Sequence, residues 1–284
     1  MKPVLEKLSG QIGNLPTLPQ VVEQVMTLIE NPDTTSAQLA DVISTDQALM
    51  TKVLKVVNSA YYGMPRRIAT LRQATVILGF NTVKNLVLSA SIFDSFGSGQ
   101  GDVVFDRVKF WEHSVAVGTA AKILAQRIRL GEPEELFVAG LLHDVGKVVI
   151  DDYLHEEFVD ILRTVRDKKC RILEAERDVL GIGHPQVGQM LAEKWNLPDT
   201  LTQAIAYHHE PKVAGNAHKK FVAIVHLADA IARLENLGFG GDSLTPVIDP
   251  ESWSLLGIPE LELGELILKI KEEFKKASVF LSLV

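Results

Sequence analysis

Cysteine is nearly absent from this chain: Cys170 is the only one among 284 residues. A single cysteine excludes both a disulfide framework within the chain and a zinc site built from several thiolates. The first residues, 1–6, also lack the apolar core of a signal peptide, and no apolar run reaches the roughly 18 residues that span a bilayer. We therefore expect a cytoplasmic protein that does not act in a membrane.

Positive charge is also scarce. Lys and Arg total 29 against 36 Asp and Glu, which gives a formal net charge of −7. Non-specific nucleic-acid binding depends on neutralising phosphates, so we expect no nucleic acid among the partners. Hydrophobic residues make up 46% of the chain, which at this length is enough for a large buried core.

Strand-like alternation is rare, and apolar residues recur at helical spacing over most of the chain. Thr35 with Gln38, and Thr70 with Gln73, add capping-box signals at two helix starts. These patterns predict an all-α protein with a loop at 237–251. A first helix is predicted by the apolar stripe of Val21, Val22, Val25, Met26 and Ile29, which Asn31-Pro32-Asp33 ends. The further predicted helices lie at 36–44, 46–57, 71–78, 82–95, 104–129, 133–145, 156–168, 185–195, 199–208, 217–236 and 262–281.

One flexible, low-complexity stretch interrupts the helices, Gly97-Ser98-Gly99-Gln100-Gly101. We place a boundary there, between an N-terminal helical subdomain (1–98) and a C-terminal helical domain (102–284). The last predicted helix has one apolar face, which either packs on its own domain or pairs with a second copy of the chain.

All eight histidines lie beyond this boundary, several of them in apolar surroundings. His113 falls within a helix of Val, Ala and Ile, and Asp229 is similarly placed in a later helix. His143-Asp144 ends an apolar helix that Val145-Gly146-Lys147 is expected to break. His184-Pro185 opens a further helix, and His208-His209 closes another.

Burying so many polar side chains against Val, Leu and Ala costs free energy unless a partner satisfies them. Neutral imidazoles cannot all satisfy one another, whereas a divalent cation binds several at once, and imidazole with carboxylate suits iron, manganese, zinc or nickel. Asp144 is the natural bridging ligand, because two metals about 3.5–4 Å apart suit phosphate-ester hydrolysis. The alternative is a hydrogen-bonded polar core, in which Asp229 pairs with a neighbour such as His226. His226 could also support a ligand from behind.

The pattern His113 … His143-Asp144-x-Gly146-Lys147 … Asp229 resembles the HD superfamily of metal-dependent phosphohydrolases. His184 and the triplet His208-His209-Glu210 make it more similar to the HD-GYP branch, whose members use two or three metals, often iron, to hydrolyse cyclic di-GMP. The HD-GYP branch has a Gly-Tyr-Pro motif after this triplet, and Pro211-Lys212-Val213 stands there instead. Cyclic di-GMP is therefore less well supported as a substrate than metal binding is.

The N-terminal part is similar to the HDOD family of bacterial signalling modules. The run Asn58-Ser59-Ala60-Tyr61-Tyr62-Gly63 and the later Leu78-Gly79 carry this resemblance, which covers roughly residues 12 to 235. Most HDOD proteins are regarded as non-catalytic because their metal ligands have degenerated. This sequence differs, since it keeps every ligand position of the HD-GYP set.

Carried over by position, the resemblance implies two divalent metal ions, most often iron. The first set is His113, His143, Asp144 and Asp229, and the second is Asp144, His184, His208 and His209. Asp144 and Lys147 would be the catalytic residues, with Lys147 neutralising a substrate phosphate. Two functions stay open: a phosphohydrolase with a phosphoester or nucleotide ligand, and a non-catalytic signalling module with structural or sensory metals and a signalling protein partner.

Overall fold

The structure is a computed structural model of the chain, and it describes residues 15, 17–96 and 105–283. The backbone groups into two compact units. Among the described residues, the larger unit comprises Leu15 and 105–270, and the smaller unit comprises 17–96 and 271–283. The boundary predicted at 97–101 lies outside the described residues.

The smaller unit is built from short helices with well-defined starts. Thr35 caps the second of them, since its hydroxyl accepts from Gln38 N while the Gln38 side chain accepts from Thr35 N, as the capping box predicts. Asp46 caps the third by accepting from Leu49 N at 3.0 Å. The helices are α1 (Gln20–Glu30), α2 (Ser36–Ser44), α3 (Gln47–Val57), α4 (Leu71–Leu78) and α5 (Phe80–Phe96).

Asn58 gives the Asn-Ser-Ala-Tyr-Tyr-Gly run a structural role in this unit. Its Nδ2 donates to Leu54 O and to Ile68 O, each at 2.8 Å, and its Oδ1 accepts from Ile68 N at 2.7 Å. The amide therefore ends α3 and closes the loop that follows, so that buried Ile68 and Leu71 enter the core.

The larger unit contains the remaining helices. Two of them, α6 and α13, are buried on nearly all sides, and α6 packs against both α7 and α13. The helices are α6 (Arg107–Ile128), α7 (Pro133–Leu142), α8 (Val145–Tyr153), α9 (His155–Lys168), α10 (Ile172–Val179), α11 (His184–Lys194), α12 (Asp199–Tyr207), α13 (Lys219–Leu234), α14 (Pro250–Leu256) and α15 (Glu260–Ala277). The last residues of α15, from Lys271 on, belong to the smaller unit.

The all-α prediction is confirmed, since no strand occurs in the described ranges. Three helices were not predicted. The segment Val145-Gly146-Lys147 was expected to break the helix, but α8 begins at Val145, after only two non-helical residues. Its Val145, Val148, Val149 and Ile150 are all buried, so tertiary packing outweighs the low helix propensity of Gly146. The other two are α10 and α14, and α14 starts inside the predicted loop.

Within the described part of the chain, no helix has both the length and the apolar character required to cross a membrane.

Two glycines allow α6 and α7 to approach closely. A Cβ added to Gly140 would lie 2.6 Å from the Cα of Gly118, and one added to Gly118 would lie 2.6 Å from Phe137 O. Atoms this close are backbone and cannot rotate away. The contact matters for function because α6 carries His113 and α7 leads into His143.

Gly140→Ala should therefore destabilise the protein by about 1–3 kcal/mol, the usual cost of overpacking a close-packed contact. Thermal or urea unfolding followed by circular dichroism measures the change. Gly264→Ala is the matched control, because nothing lies within 4 Å of the added Cβ in α15, where Ala favours the helix. Equal stability of the Gly140 variant and the wild type would contradict the close contact.

Candidate metal centre

All seven side chains predicted as metal ligands lie together in the larger unit. They form two groups that share Asp144, and within each group the ligand atoms lie within 4.8 Å of one another. One group contains His113, His143 and Asp144, with Asp229 beside it, and the other contains Asp144, His184, His208 and His209.

The first group surrounds one oxygen of Asp144. His143 Nε2 lies 3.2 Å from Asp144 Oδ2, and His113 Nε2 lies 3.9 Å from the same atom. Asp229 Oδ1 is 3.1 Å from His113 Nε2 and 3.9 Å from His143 Nε2. Asp229 thus faces His113 rather than pairing with His226, the neighbour considered from the sequence.

The second group surrounds the other oxygen of Asp144. His184 Nε2 lies 3.0 Å from Asp144 Oδ1, and His208 Nε2 lies 3.6 Å from it. His184 Nε2 is also 3.1 Å from His209 Nε2 and 3.4 Å from His208 Nε2. Asp144 therefore presents one oxygen to each group.

Helix ends bring most of these residues together. His143 and Asp144 link the end of α7 to the start of α8, His184 is the first residue of α11, and His208 follows α12. Gly146 explains how the start of α8 reaches α11: a Cβ at this position would lie 2.0 Å from His184 O. The glycine of the His-Asp-x-Gly sequence is thus needed to set Asp144 beside His184.

Hydrogen bonds behind the rings orient three histidines. The Nδ1 of His143 lies 2.7 Å from Gly140 O, and that of His208 lies 2.9 Å from Ile205 O. Both Nδ1 atoms must donate, because a carbonyl only accepts. His184 Nδ1 lies 2.7 Å from Glu176 Oε2, a carboxylate that also accepts from His184 N. A neutral ring that donates from Nδ1 has its lone pair on Nε2, the atom that faces Asp144.

Several buried atoms at the centre lie near polar neighbours but meet none of them in hydrogen-bond geometry within the described chain. They are His113 Nε2, His143 Nε2 and Asp144 Oδ1. Such groups are costly to bury without a partner, and a cation satisfies all of them. The donors therefore fit a divalent metal with a preference for nitrogen and oxygen ligands.

The electrostatics favour the protonation states that ligands need. Burial lowers the pKa of His208 to about 4, and burial likewise lowers the pKa of His113 and of His209. Burial alone would raise the pKa of Asp144, but His143, Lys147 and His184 outweigh it and hold that pKa well below its ordinary value. The imidazoles of His113, His208 and His209 are thus neutral and the carboxylate ionised near neutral pH, as metal binding requires.

The pKa values of Asp229 and His184 are also set by burial acting against neighbouring charges. His113 holds the pKa of Asp229 well below its usual range despite burial of the carboxyl. Burial by itself would lower the pKa of His184, but the neighbouring Glu176 and Asp144 carboxylates raise it overall.

Lys147, predicted to bind a phosphate, lies one helical turn after Asp144. Its Nζ donates to Asp144 Oδ2 at 2.5 Å and to Gly240 O at 2.7 Å, and the side chain is buried. The ammonium therefore holds the central carboxylate in place and neutralises part of its charge.

Sequence reasoning missed Glu176, which is fully buried and hydrogen-bonded to His184. A signal was present, because Ile172, Ala175 and Glu176 share the buried face of α10. An acidic residue on such a face needs a buried partner.

His226 has the supporting position that its helix face suggested. Its Nδ1 donates to His208 O at 2.7 Å, and its Nε2 accepts from Asp249 N at 2.9 Å. It therefore fixes the backbone that carries His208 rather than touching either group itself.

Known proteins resemble this chain over different shares of its length. An HDOD domain protein of unknown function from Geobacter sulfurreducens has the same fold, with a TM-score of 0.83, 30% identity, and coverage of 98% of this chain and 96% of that one. An uncharacterised protein of Treponema pallidum is 28% identical over 233 residues, which are 80% of this chain and 44% of that protein. This chain thus spans less than half the length of that relative.

A shorter similarity links the chain to an enzyme. Ribonuclease Y of Thermus thermophilus is 30% identical over 121 residues, which are 43% of this chain and 16% of the enzyme. The family model of the HDOD domain matches residues 15–211, well over half of the sequence. The chain is therefore a member of the HDOD family.

Proposed function

We propose that this HDOD protein is a metal-dependent phosphohydrolase that acts on a nucleotide or another phosphoester. The observation that carries the proposal is the set of buried ligand atoms without hydrogen bonds around Asp144, with an ammonium group beside them. A hydrogen-bonded polar core would have satisfied those atoms.

The chain offers ligands for two divalent cations, of which iron is the first expectation and manganese, nickel or zinc the others. His113, His143, Asp144 and Asp229 would hold one, and Asp144, His184, His208 and His209 the other. When bound, such a pair of ions polarises a phosphoryl oxygen and activates water for attack.

Lys147 contributes to substrate binding as well as to the position of Asp144. Its ammonium carries three N–H donors, and the described chain accepts two of them, at Asp144 and Gly240. The third is left for a phosphate oxygen. A charged donor in a buried site interacts more strongly with developing negative charge than it would in water.

Arg233 adds a second positive group beside the centre. It follows Asp229 by one helical turn and lines two openings, of about 180 and 230 Å³, that also reach His209 and His113 respectively. Its Nη2 donates to Asp242 Oδ1 at 2.5 Å and to Leu244 O at 3.0 Å. Its Nε and Nη1 make no hydrogen bond within the described residues, so they remain for an anionic substrate.

The similarity to Ribonuclease Y supports a phosphodiester as the reacting group, since the stretch alike in the two chains belongs to an enzyme that acts on RNA. The net charge of −7 argues against a long nucleic acid as substrate. A small phosphoester is therefore the substrate class we favour.

A signalling module with structural or sensory metals is the second candidate. The observation in its favour is the closure of the centre: His184 and His208 are 0% exposed, and structural metal sites are typically closed by protein ligands. Turnover by the metal-loaded protein distinguishes the two candidates.

The metal content of two variants tests the ligand sets. Asp144→Ala should remove both ions, because one carboxylate faces both groups, whereas His184→Ala should empty only the second position. Elemental analysis of protein purified without chelators should give about two, zero and one ions per chain for the wild type and these variants. His218→Ala is the control, since His218 pairs with Asp199 outside the centre. A wild type that takes up no metal on reconstitution would refute the proposal.

Glu176→Gln tests the support behind His184. Loss of the charge should weaken metal affinity at the second position by roughly 10- to 100-fold, the usual effect of removing a carboxylate behind a histidine ligand. Competition titration with a chelator measures the affinity. Glu174→Gln, two residues earlier on the same helix, should leave it unchanged. Equal affinities in the two variants would show that Glu176 has no such role.

Lys147→Ala should lower kcat/KM by roughly 10- to 1000-fold, the range for losing one charged contact to the transition state. Metal content at saturating metal should stay near that of the wild type, because an ammonium is not a ligand, although loss of the contact with Asp144 weakens the affinity. The assay pairs cyclic dinucleotides, cyclic mononucleotides and a chromogenic phosphodiester with Fe²⁺, Mn²⁺ and Ni²⁺, and keeps the iron reduced. No turnover of any substrate by a protein with verified metal content would favour the signalling module.

A further inference from the structure

A cavity of about 800 Å³ lies in the larger unit, away from the ligand residues. One wall is the second half of α9 with Lys169 and Cys170, and the other is the segment Phe239–Leu244, which we call the strap. The apolar side chains that line it are Val159, Leu162, Val165, Phe239 and Leu244. Its volume is typical of sites that enclose a small molecule, and its lining is mostly apolar.

Positive groups dominate the polar part of this lining. Arg163, Arg166 and Lys169 line the cavity, and the arginines form ion pairs with Asp160 and Asp167, which do not. Lys169 forms no ion pair among the residues that the structure describes. The arginines keep further N–H donors, because each pairs through one nitrogen.

The acidic group of the lining is already neutralised. Asp242 Oδ1 binds Arg233 at 2.5 Å, and the carboxylate also accepts from Ile172 N at 3.1 Å and Leu244 N at 3.0 Å. Among the described residues that line the cavity, no free carboxylate therefore opposes the cations of α9, and the lining is complementary to an anion.

We propose that this cavity is a regulatory binding site for a small anionic molecule with an apolar body, such as an aryl or acyl sulfonate or carboxylate. The apolar body lies against Leu162, Phe239 and Leu244, and the anionic head meets Arg166 and Lys169. This site is separate from the proposed phosphoester site, and binding to it does not depend on hydrolysis.

The strap connects this cavity to the metal centre. Gly240 O accepts from Lys147 Nζ, and a Cβ on Gly240 would lie 3.1 Å from His113 Nε2. On its cavity side the same segment contributes Phe239 and Leu244. A ligand that shifts the strap therefore changes the position of Lys147, and through it Asp144. Coupling of this kind is reciprocal, so metal and ligand affinities change by the same factor.

Binding is tested with 8-anilinonaphthalene-1-sulfonate, which combines an apolar aromatic body with one negative charge. Its fluorescence titration should saturate at one site, and the double variant Arg166→Glu with Lys169→Glu should bind it about tenfold more weakly, since two exposed charges are reversed. Lys220→Glu, an exposed charge reversal elsewhere in the same unit, is the control. Equal affinities in the double variant and this control would overturn the site.

Cys170 provides a second, local measurement, because it lines the cavity and is the only cysteine in the chain. Its labelling by iodoacetamide should slow when the sulfonate is bound and remain unchanged with decyltrimethylammonium, an apolar cation. Equal labelling rates with and without saturating sulfonate would show that the sulfonate binds elsewhere, and would overturn the proposed binding site.

Coupling is tested by the Mn²⁺ affinity of the chain with and without saturating sulfonate. We expect a shift of roughly 5- to 150-fold that disappears in the double variant. An unchanged Mn²⁺ affinity would overturn the coupling while leaving the binding result intact. Because no step measures hydrolysis, failure here is distinct from failure of the proposed phosphohydrolase.

Discussion

The buried carboxylate of Asp144 is the group on which the rest of the centre depends. One oxygen faces His143 and Lys147, the other faces His184 and His208, and these residues come from α7, α8, α11 and the end of α12. A buried charge is stable only when its surroundings supply compensating donors or a cation. The four segments are therefore held to one arrangement around a single side chain.

Glycine makes this arrangement sterically feasible. Gly146 brings the start of α8 against His184 O, and Gly140 with Gly118 brings α7 against α6. In both places the partner is backbone, so any Cβ would push apart the elements that carry the ligands. The geometry of the candidate ligands and the helix packing are thus one constraint, and the His-Asp-x-Gly-Lys sequence supplies a candidate ligand pair, a close contact and a counter-charge within five residues.

The two candidate functions make different use of the same residues. Closure of the centre around His184 and His208 suits a structural or sensory metal, while the free donors of Lys147 and Arg233 suit an anionic substrate. The strap lies between these roles, because Gly240 binds Lys147 and Asp242 binds Arg233. Coupling between two sites requires an element that both of them contact. The strap is such an element for the candidate metal centre and the cavity.

The sequence by itself determined the helical class, most helix positions to within a few residues, and the set of polar residues that cannot be buried without a partner. These follow from local periodicity, capping residues and composition, which act over a few residues. Only the tertiary structure decided that α8 begins two residues after α7 ends, that Glu176 lies behind His184, that residues 271–283 group with 17–96, and that the strap contacts both Lys147 and a cavity. Each of these depends on contacts between residues far apart in the chain, whose free energy outweighs local propensity and leaves no periodic trace in the sequence.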